Sequence, residues 1–301
     1  MEITLENIMH RVSVRSFTGT PLDVAHCSLL ERLFAESVEG CPYGYKPRFG
    51  LVGTEGIVGS ASSDVENGKP LRIGTYGIIQ KAPAFMVGAV KMGPRALVDY
   101  GYALEGVILA ATSTGLGTCW LGGTFSRSAA AASLGLAEGE VLPAISPVGY
   151  PADRRTFSDK TVRFLAGSDR RLSWPELFFD QEEGKSLTEA KAGKWAPVLE
   201  AVRRGPSASN KQPWRILALD GDRFQLLFAE DRAYNRALGI PIQELDMGIA
   251  LRHFESAAKA LGLDGHWLAA KLGAVHCDAP KEKASRHREA LTCIAEWVPG
   301  K

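Results

Sequence analysis

The sequence lacks several things that would have decided its function cheaply. Its 35 Lys and Arg are scattered against 34 Asp and Glu, leaving a formal net charge of +1 and no long basic run, so a nucleic-acid partner is not expected. The five cysteines, Cys27, Cys41, Cys119, Cys277 and Cys293, are odd in number and include no close pair, which argues against a disulfide scaffold. The six histidines show no HExxH spacing. His276 and Cys277 are adjacent and would point to opposite faces of a strand, so no metal is expected. The opening MEITLENIMHRVSVRSF does not follow the basic, apolar, small-residue order of a secretory signal, and a cytoplasmic location is the default expectation. The most apolar stretch is broken by Asp99, a Tyr-Gly-Tyr start and Glu105, which excludes it as a membrane span.

What the chain does have is a repeat. Val98 to Leu121 reads VDYGYALEGVILAATSTGLGTCWL, and Leu245 to Leu268 reads LDMGIALRHFESAAKALGLDGHWL. Asp99, Gly101, Ala103, Leu104, Ala110, Ala111, Gly115, Leu116, Trp120 and Leu121 recur 147 residues later without a gap. The chain therefore contains two copies of one unit. In each copy the Asp is placed to cap a helix, and the Gly-Leu pair stops it. The small residues on its surface would let another helix, or a ligand ring, come close. A core helix with no role beyond packing is the plainer alternative.

Around these helices lie segments with binding chemistry. In Arg11-Val12-Ser13-Val14-Arg15-Ser16-Phe17, an extended backbone turns Arg11, Ser13 and Arg15 to one side and the valines to the other. Two guanidinium groups around a hydroxyl fit a phosphate clamp, or equally a solvated face with surface ion pairs. Gly122 and Gly123, after Thr118-Cys119-Trp120-Leu121, let backbone approach a ligand closely. Arg154 and Arg155 form a second candidate phosphate contact. Pro206-Ser207-Ala208-Ser209-Asn210-Lys211-Gln212-Pro213-Trp214-Arg215 is a polar loop between prolines, suited to a heterocycle with alternating carbonyls and ring nitrogens. Asp220-Gly221 marks a hairpin between strands at 215–219 and 223–229. Residues 156–190 read as a crossover packed on the surface as an arm, Pro147 marks an edge strand or strand end, and residues 53–77 are the least determined stretch.

Together, RVSVRSF at 11–17, PSASNKQPWR at 206–215, the helix from Asp99 to Gly117 with TCWLGG behind it, and VGYP at 148–151 resemble the nitroreductase family of flavin mononucleotide (FMN) enzymes. The likeness is nearest to a branch with two nitroreductase-like halves fused in one chain, here 1–185 and 186–301. The resemblance implies an α+β fold in which central sheets flanked by helices form an internally duplicated pseudo-dimer. It assigns Arg11, Ser13 and Arg15 to the flavin phosphate, ribityl chain and pyrimidine edge. Leu121, Gly122 and Gly123 become the backbone beside the reactive ring, Arg154 or Arg155 the late basic residue of the phosphate site, and Pro206, Ser207, Ser209 and Asn210 the loop supplied across the interface. The first half has CPYGYKP at 41–47 where the second has PSASNKQP, and the second has Trp267-Leu268-Ala269-Ala270 where the first has its double glycine. Each half keeps what the other lost, which implies one composite site, one FMN per chain and a monomeric pseudo-dimer. The implied activity is electron transfer from NAD(P)H to a nitroaromatic, quinone or similar electron-poor acceptor, with no acid, base or nucleophile required from the protein. Other flavin chemistry on the same fold, such as enone reduction, dehalogenation or flavin cleavage, and a flavin-binding protein without turnover, are the alternatives.

Overall fold

The computed structural model describes residues 3–53, 73–152, 170–271 and 291–300. Most of the 53–77 stretch, Arg154, Arg155, His276, Cys277 and the charged segment at 281–288 lie outside the described residues. In chain order the helices are α1 (Leu5–His10), α2 (Val24–Glu36), α3 (Ala96–Ser113), α4 (Arg127–Leu134), α5 (Trp174–Leu177), α6 (Glu189–Ala192), α7 (Ala196–Arg204), α8 (Arg232–Leu238) and α9 (Gln243–Ala260). The strands are β1 (Arg48–Gly53), β2 (Ala84–Lys91), β3 (Gly117–Thr118), β4 (Glu140–Val141), β5 (Ser146–Gly149), β6 (Phe178–Asp180), β7 (Lys185–Ser186), β8 (Trp214–Ala218), β9 (Phe224–Phe228), β10 (Gly265–Ala269) and β11 (Thr292–Pro299). The fold is α+β.

The repeated stretches are α3 and α9, and their boundaries are also 147 residues apart. Every residue of α3 from Ala96 to Ala111 is buried, as expected of a helix that is apolar nearly all round. Each helix ends alike: Gly115 and Gly262 take positive φ, and the amides of Leu116 and Leu263 reach back to the carbonyls of Ala111 and Ala258. At the other end the expectation fails. Asp99 and Asp246 do not cap their own helices, because each helix begins three residues earlier and the carboxylate faces a neighbouring loop instead.

The strand order repeats as well. One sheet runs β1-β2-β5-β3, with β4 added on β2, and all its ladders are antiparallel. The other contains β8-β9-β11-β10 in the corresponding order, also antiparallel, extended beyond β8 by β6 and β7. The β8–β9 hairpin forms at Asp220-Gly221, where Gly221 has φ of 70°. Pro147 is the second residue of β5, at a strand end as expected, but β5 lies between β2 and β3 and is not an edge strand. The proline is tolerated because β3 pairs only with Val148 and Gly149, so the missing N–H interrupts no ladder on that side.

The crossover is not a surface arm. Phe178 and Phe179 are almost fully buried, and β6 lies parallel to β8 inside the second sheet. Successive side chains of a strand face opposite ways, so Phe178 enters the main core of the second unit and Phe179 a small cluster with Leu217 and Leu227. The β6–β7 hairpin crosses the 185/186 position, and both of its strands belong to the second sheet. At the other end of the chain, Ile8 of α1 also packs into the second unit's core.

Candidate functional site

A cavity of about 480 Å³ opens between the two units, within the range that holds small ligands and cofactors. Its walls come from six stretches: the N-terminal extended segment, the turn behind α3, Ala144 ahead of β5, Arg171 ahead of α5, the loop before β8, and α8 with the start of α9.

The N-terminal segment is laid against the first sheet. The amide of Val14 donates to the carbonyl of Thr118 at 2.8 Å, and Ser13 bridges Thr118. Gly117 is required here, because a Cβ would press on Val14. This backbone places Arg11, Ser13 and Arg15 on the cavity wall, while Val14 packs into the core beneath. Val12 also reaches the cavity. Burial lowers the pKa of Arg11, and the nearby Glu105 carboxylate opposes that shift.

Behind α3, Gly122 and Gly123 line the cavity and Leu121 does not. The Leu121 side chain enters the core of the first unit while its backbone bridges Ile145. A Cβ on Gly123 would meet no protein atom within 4 Å, so the space in front of it is open. Arg127 holds the turn by donating to the Gly122 carbonyl at 2.5 Å and to the Leu142 carbonyl at 2.7 Å.

The loop Pro206 to Asn210 forms the opposite wall. Ser209, Asn210 and Gln212 all have φ near +50°, a left-handed backbone that costs non-glycine residues energy and that surrounding contacts must impose. Those contacts come from three sides. Asp246 accepts the Ala208 amide at 2.9 Å, Ser209 shares a 2.8 Å hydrogen bond with the Tyr234 hydroxyl, and Asn210 accepts from Arg171 at 2.7 Å while donating to the Arg170 carbonyl. Ser207 accepts the Gln212 amide, which leaves its hydroxyl hydrogen for a further acceptor. The carboxamide of Asn210 is thus engaged by the crossover and does not simply face the cavity.

Several wall residues were not visible as such in the sequence: Trp120, Arg171, Tyr234, Leu238, Ile242 and Asp246. Arg171 is the instructive one. Arg154 and Arg155 lie outside the described residues, and the path of the chain brings Arg171, from the crossover, to the cavity. Buried Arg11 Nε, Arg15 Nη1 and Asp246 Oδ2 have no hydrogen-bond partner among the described residues. Burial also pushes the Asp246 carboxyl well above the usual carboxylate range. Three arginines and unpaired polar atoms beside an apolar wall of Trp120, Ile242, Leu245 and Ile249 suit a ligand with an anionic end and a flat apolar body.

The opposite face of the α3–α9 pair is built differently. There Asp99 accepts the amides of Tyr43 at 3.0 Å and Tyr45 at 2.8 Å, as Asp246 accepts that of Ala208. Tyr43 is half-buried. Its hydroxyl donates to the Ile294 carbonyl of β11 at 2.7 Å, and its ring packs on the second unit's core. Tyr45 lies over Gly93, where a Cβ would overlap its hydroxyl. No group of His, Cys, Asp and Glu able to hold a metal occurs among the described residues, and none of their helices is long and apolar enough to cross a membrane.

Comparison with known proteins agrees with this architecture. A Thermotoga maritima structure described as a "putative nitroreductase" superposes with a TM-score of 0.52 at 19% identity, covering 99% of this chain and 94% of that one. A nitroreductase structure from Bacteroides fragilis, described with bound FMN, matches at 21% identity over 51% of this chain and 90% of its own, with a TM-score of 0.37. No curated protein matches. The family model described as "Putative TM nitroreductase" matches residues 56–258, about two thirds of the sequence, and the chain belongs to that nitroreductase family.

Proposed function

We infer that the chain is an FMN-dependent oxidoreductase that binds one flavin in the cavity between its units and passes electrons from NAD(P)H to an electron-poor acceptor such as a nitroaromatic or quinone. One observation carries this: motifs about 195 residues apart, Arg11-Val12-Ser13-Val14-Arg15 and Pro206-Ser207-Ala208-Ser209-Asn210, face each other across one cavity together with Gly122 and Gly123. The bound flavin supplies the hydride chemistry.

The protein's part is to bind and orient. Arg11, Arg15 and Arg171 neutralise the anionic end, and Arg154 or Arg155, outside the described residues, stays the further basic residue of the phosphate site. Ser13 and Ser207 offer hydroxyls to polar edges, and Asn210, held by Arg171, fixes the loop. The backbone of Gly122 and Gly123 leaves open the approach that a planar donor or acceptor needs. Trp120, Ile242 and Leu245 cover an apolar face and exclude water. No side chain of the cavity need act as acid, base or nucleophile. The repeated topology supports a duplicated pseudo-dimer, and Tyr43, occupying the opposite face, supports a single flavin per chain.

The test is optical and stoichiometric. Purified protein, or protein reconstituted with FMN, is expected to be yellow, to bleach anaerobically on addition of NADH or NADPH, and to regain its colour when a quinone or nitroaromatic is added. Extraction is expected to return close to one FMN per chain. Two per chain would remove the single-site claim, and colourless protein that takes up no FMN would remove the flavin reading.

A further inference from the structure

We propose that Glu105, locked in place by His253 of the second unit, is a positioning residue that holds Arg11 and Trp120 on the cavity wall. Glu105 lies in the middle of α3 with no exposed side-chain surface, and it has no part in the binding roles given above. Its two oxygens are divided between three groups. Oε2 accepts the Trp120 indole N–H at 2.6 Å, while Oε1 lies 2.7 Å from His253 Nε2 and 3.9 Å from Arg11 Nε. His253 is also fully buried, and its other ring nitrogen donates to the Ala201 carbonyl of α7 at 3.0 Å. The carboxylate is therefore fixed by one unit and spends its remaining contacts on two residues that face the ligand space.

Physical cost explains why such a group must act on its neighbours. A buried carboxylate is unfavourable unless paired, and so is a buried guanidinium. Arg11 Nε finds no hydrogen bond among the described residues, and Glu105 Oε1 is its ion-pair partner at 3.9 Å. Arg11 itself lines the cavity, so its guanidinium adds positive charge to the wall an anion would meet. The Trp120 indole is a long flat wall that a single directional bond orients.

The repeat shows that this layer is where the copies part. The position equivalent to Glu105 is Arg252, and that equivalent to His253 is Gly106. Arg252 lies over the Tyr102 ring at 4.4 Å and donates to its hydroxyl, and a Cβ on Gly106 would collide with its guanidinium. The ion that serves the cavity on one face is thus replaced on the other by an arginine used for packing.

The affinity arm of the test rests on the flavin reading; a second arm does not. In the full chain, FMN affinity is measured for Glu105→Gln alone and in an Arg11→Ala/Trp120→Phe background, with the Trp120 indole N–H signal followed by NMR in protein without flavin. The expected result is a loss of affinity of about tenfold for Glu105→Gln in the wild-type background, the size of one lost charge-assisted contact, and less than about twofold in the double-variant background. The indole signal assigned by Trp120→Phe is expected to move in Glu105→Gln while the other tryptophan signals stay. Equal losses in both backgrounds, or an unmoved Trp120 signal, overturn the proposal. If wild-type protein takes up no FMN, the flavin reading fails and the indole signal alone decides the role of Glu105. Should Glu105→Gln not fold, Trp120→Phe keeps the carboxylate and removes its donor; a loss of FMN affinity is then expected, and unchanged affinity overturns the proposal.

Discussion

Gly101 and Gly248 are reciprocal across the interface of α3 and α9. A Cβ on Gly101 would overlap the Leu245 carbonyl, and a Cβ on Gly248 would overlap the Val98 carbonyl. Val98 and Leu245 are themselves equivalent in the repeat, so the contact has the form of a twofold interface within one chain. Two helices that approach this closely bury their backbones against each other and leave no room for adjustment.

Gly101→Ala and Gly248→Ala should therefore each destabilise the protein, by about 1 to 3 kcal/mol. Alanine is the better helix former by up to about 1 kcal/mol, but the obstacle here is backbone and cannot rotate away. Denaturant unfolding measures the difference. A gain in stability from either substitution would show that the helices are farther apart than described.

Asp99 ties the 41–47 loop to α3. Burial pushes its carboxyl up to about 6, against the lowering effect of the Tyr43 and Tyr45 amides. A raised acid lets the folded protein hold a proton that the unfolded chain gives up, so this contribution to stability is full below about pH 4 and is lost as pH rises through about 6. Compared with Asp99→Asn, which does not titrate, the wild type should lose melting temperature across that window and show a constant difference above about pH 7. A difference that is flat from pH 4 to 7 would mean that Asp99 titrates as an ordinary carboxylate.

Tyr43→Phe removes the hydroxyl bound to the Ile294 carbonyl and leaves that carbonyl without this donor. The expected cost is about 0.5 to 1.5 kcal/mol of stability, read by denaturant unfolding. Flavin affinity should not change, because Tyr43 lies on the face away from the cavity. A fall in affinity would connect the two faces.

In the cavity, Arg15→Ala, Asn210→Ala and Arg171→Ala are each expected to weaken FMN binding by about 1 to 3 kcal/mol, measured by fluorescence titration. Lys46→Ala should leave it unchanged, since Lys46 pairs with Glu39 at the surface. Equal losses in all four would mean that the ligand does not sit where Arg15 and Arg171 meet the 206–210 loop.

Much of this was legible in the sequence because it is local or periodic. The two long helices and their glycine stops follow from spacing and from the left-handed backbone that glycine permits at Gly115 and Gly262. The β8–β9 hairpin follows from Asp220-Gly221. The shared side of Arg11, Ser13 and Arg15 follows from the two-residue period of extended chain, but Val12 lines the cavity with them, and of the two valines Val14 alone packs into the core beneath.

Other features depended on which segments meet, and nothing local encodes that. Phe178 and Phe179 read as an arm but complete a sheet, because an apolar pair shows that burial will occur without showing where. Asp99 and Asp246 read as helix caps but bind loops, because the helices extend three residues beyond the signal. Leu121 shares its motif with the glycines, yet its side chain turns into the core. The sequence by itself determined the repeat, the type of fold and most of the polar residue types that gather at the cavity. Tertiary structure alone decided that Arg171 comes to the cavity, that Glu105 and His253 support it, and that Tyr43 takes up the other face, since each of these is a contact between distant segments whose energy exists only after the two units have packed.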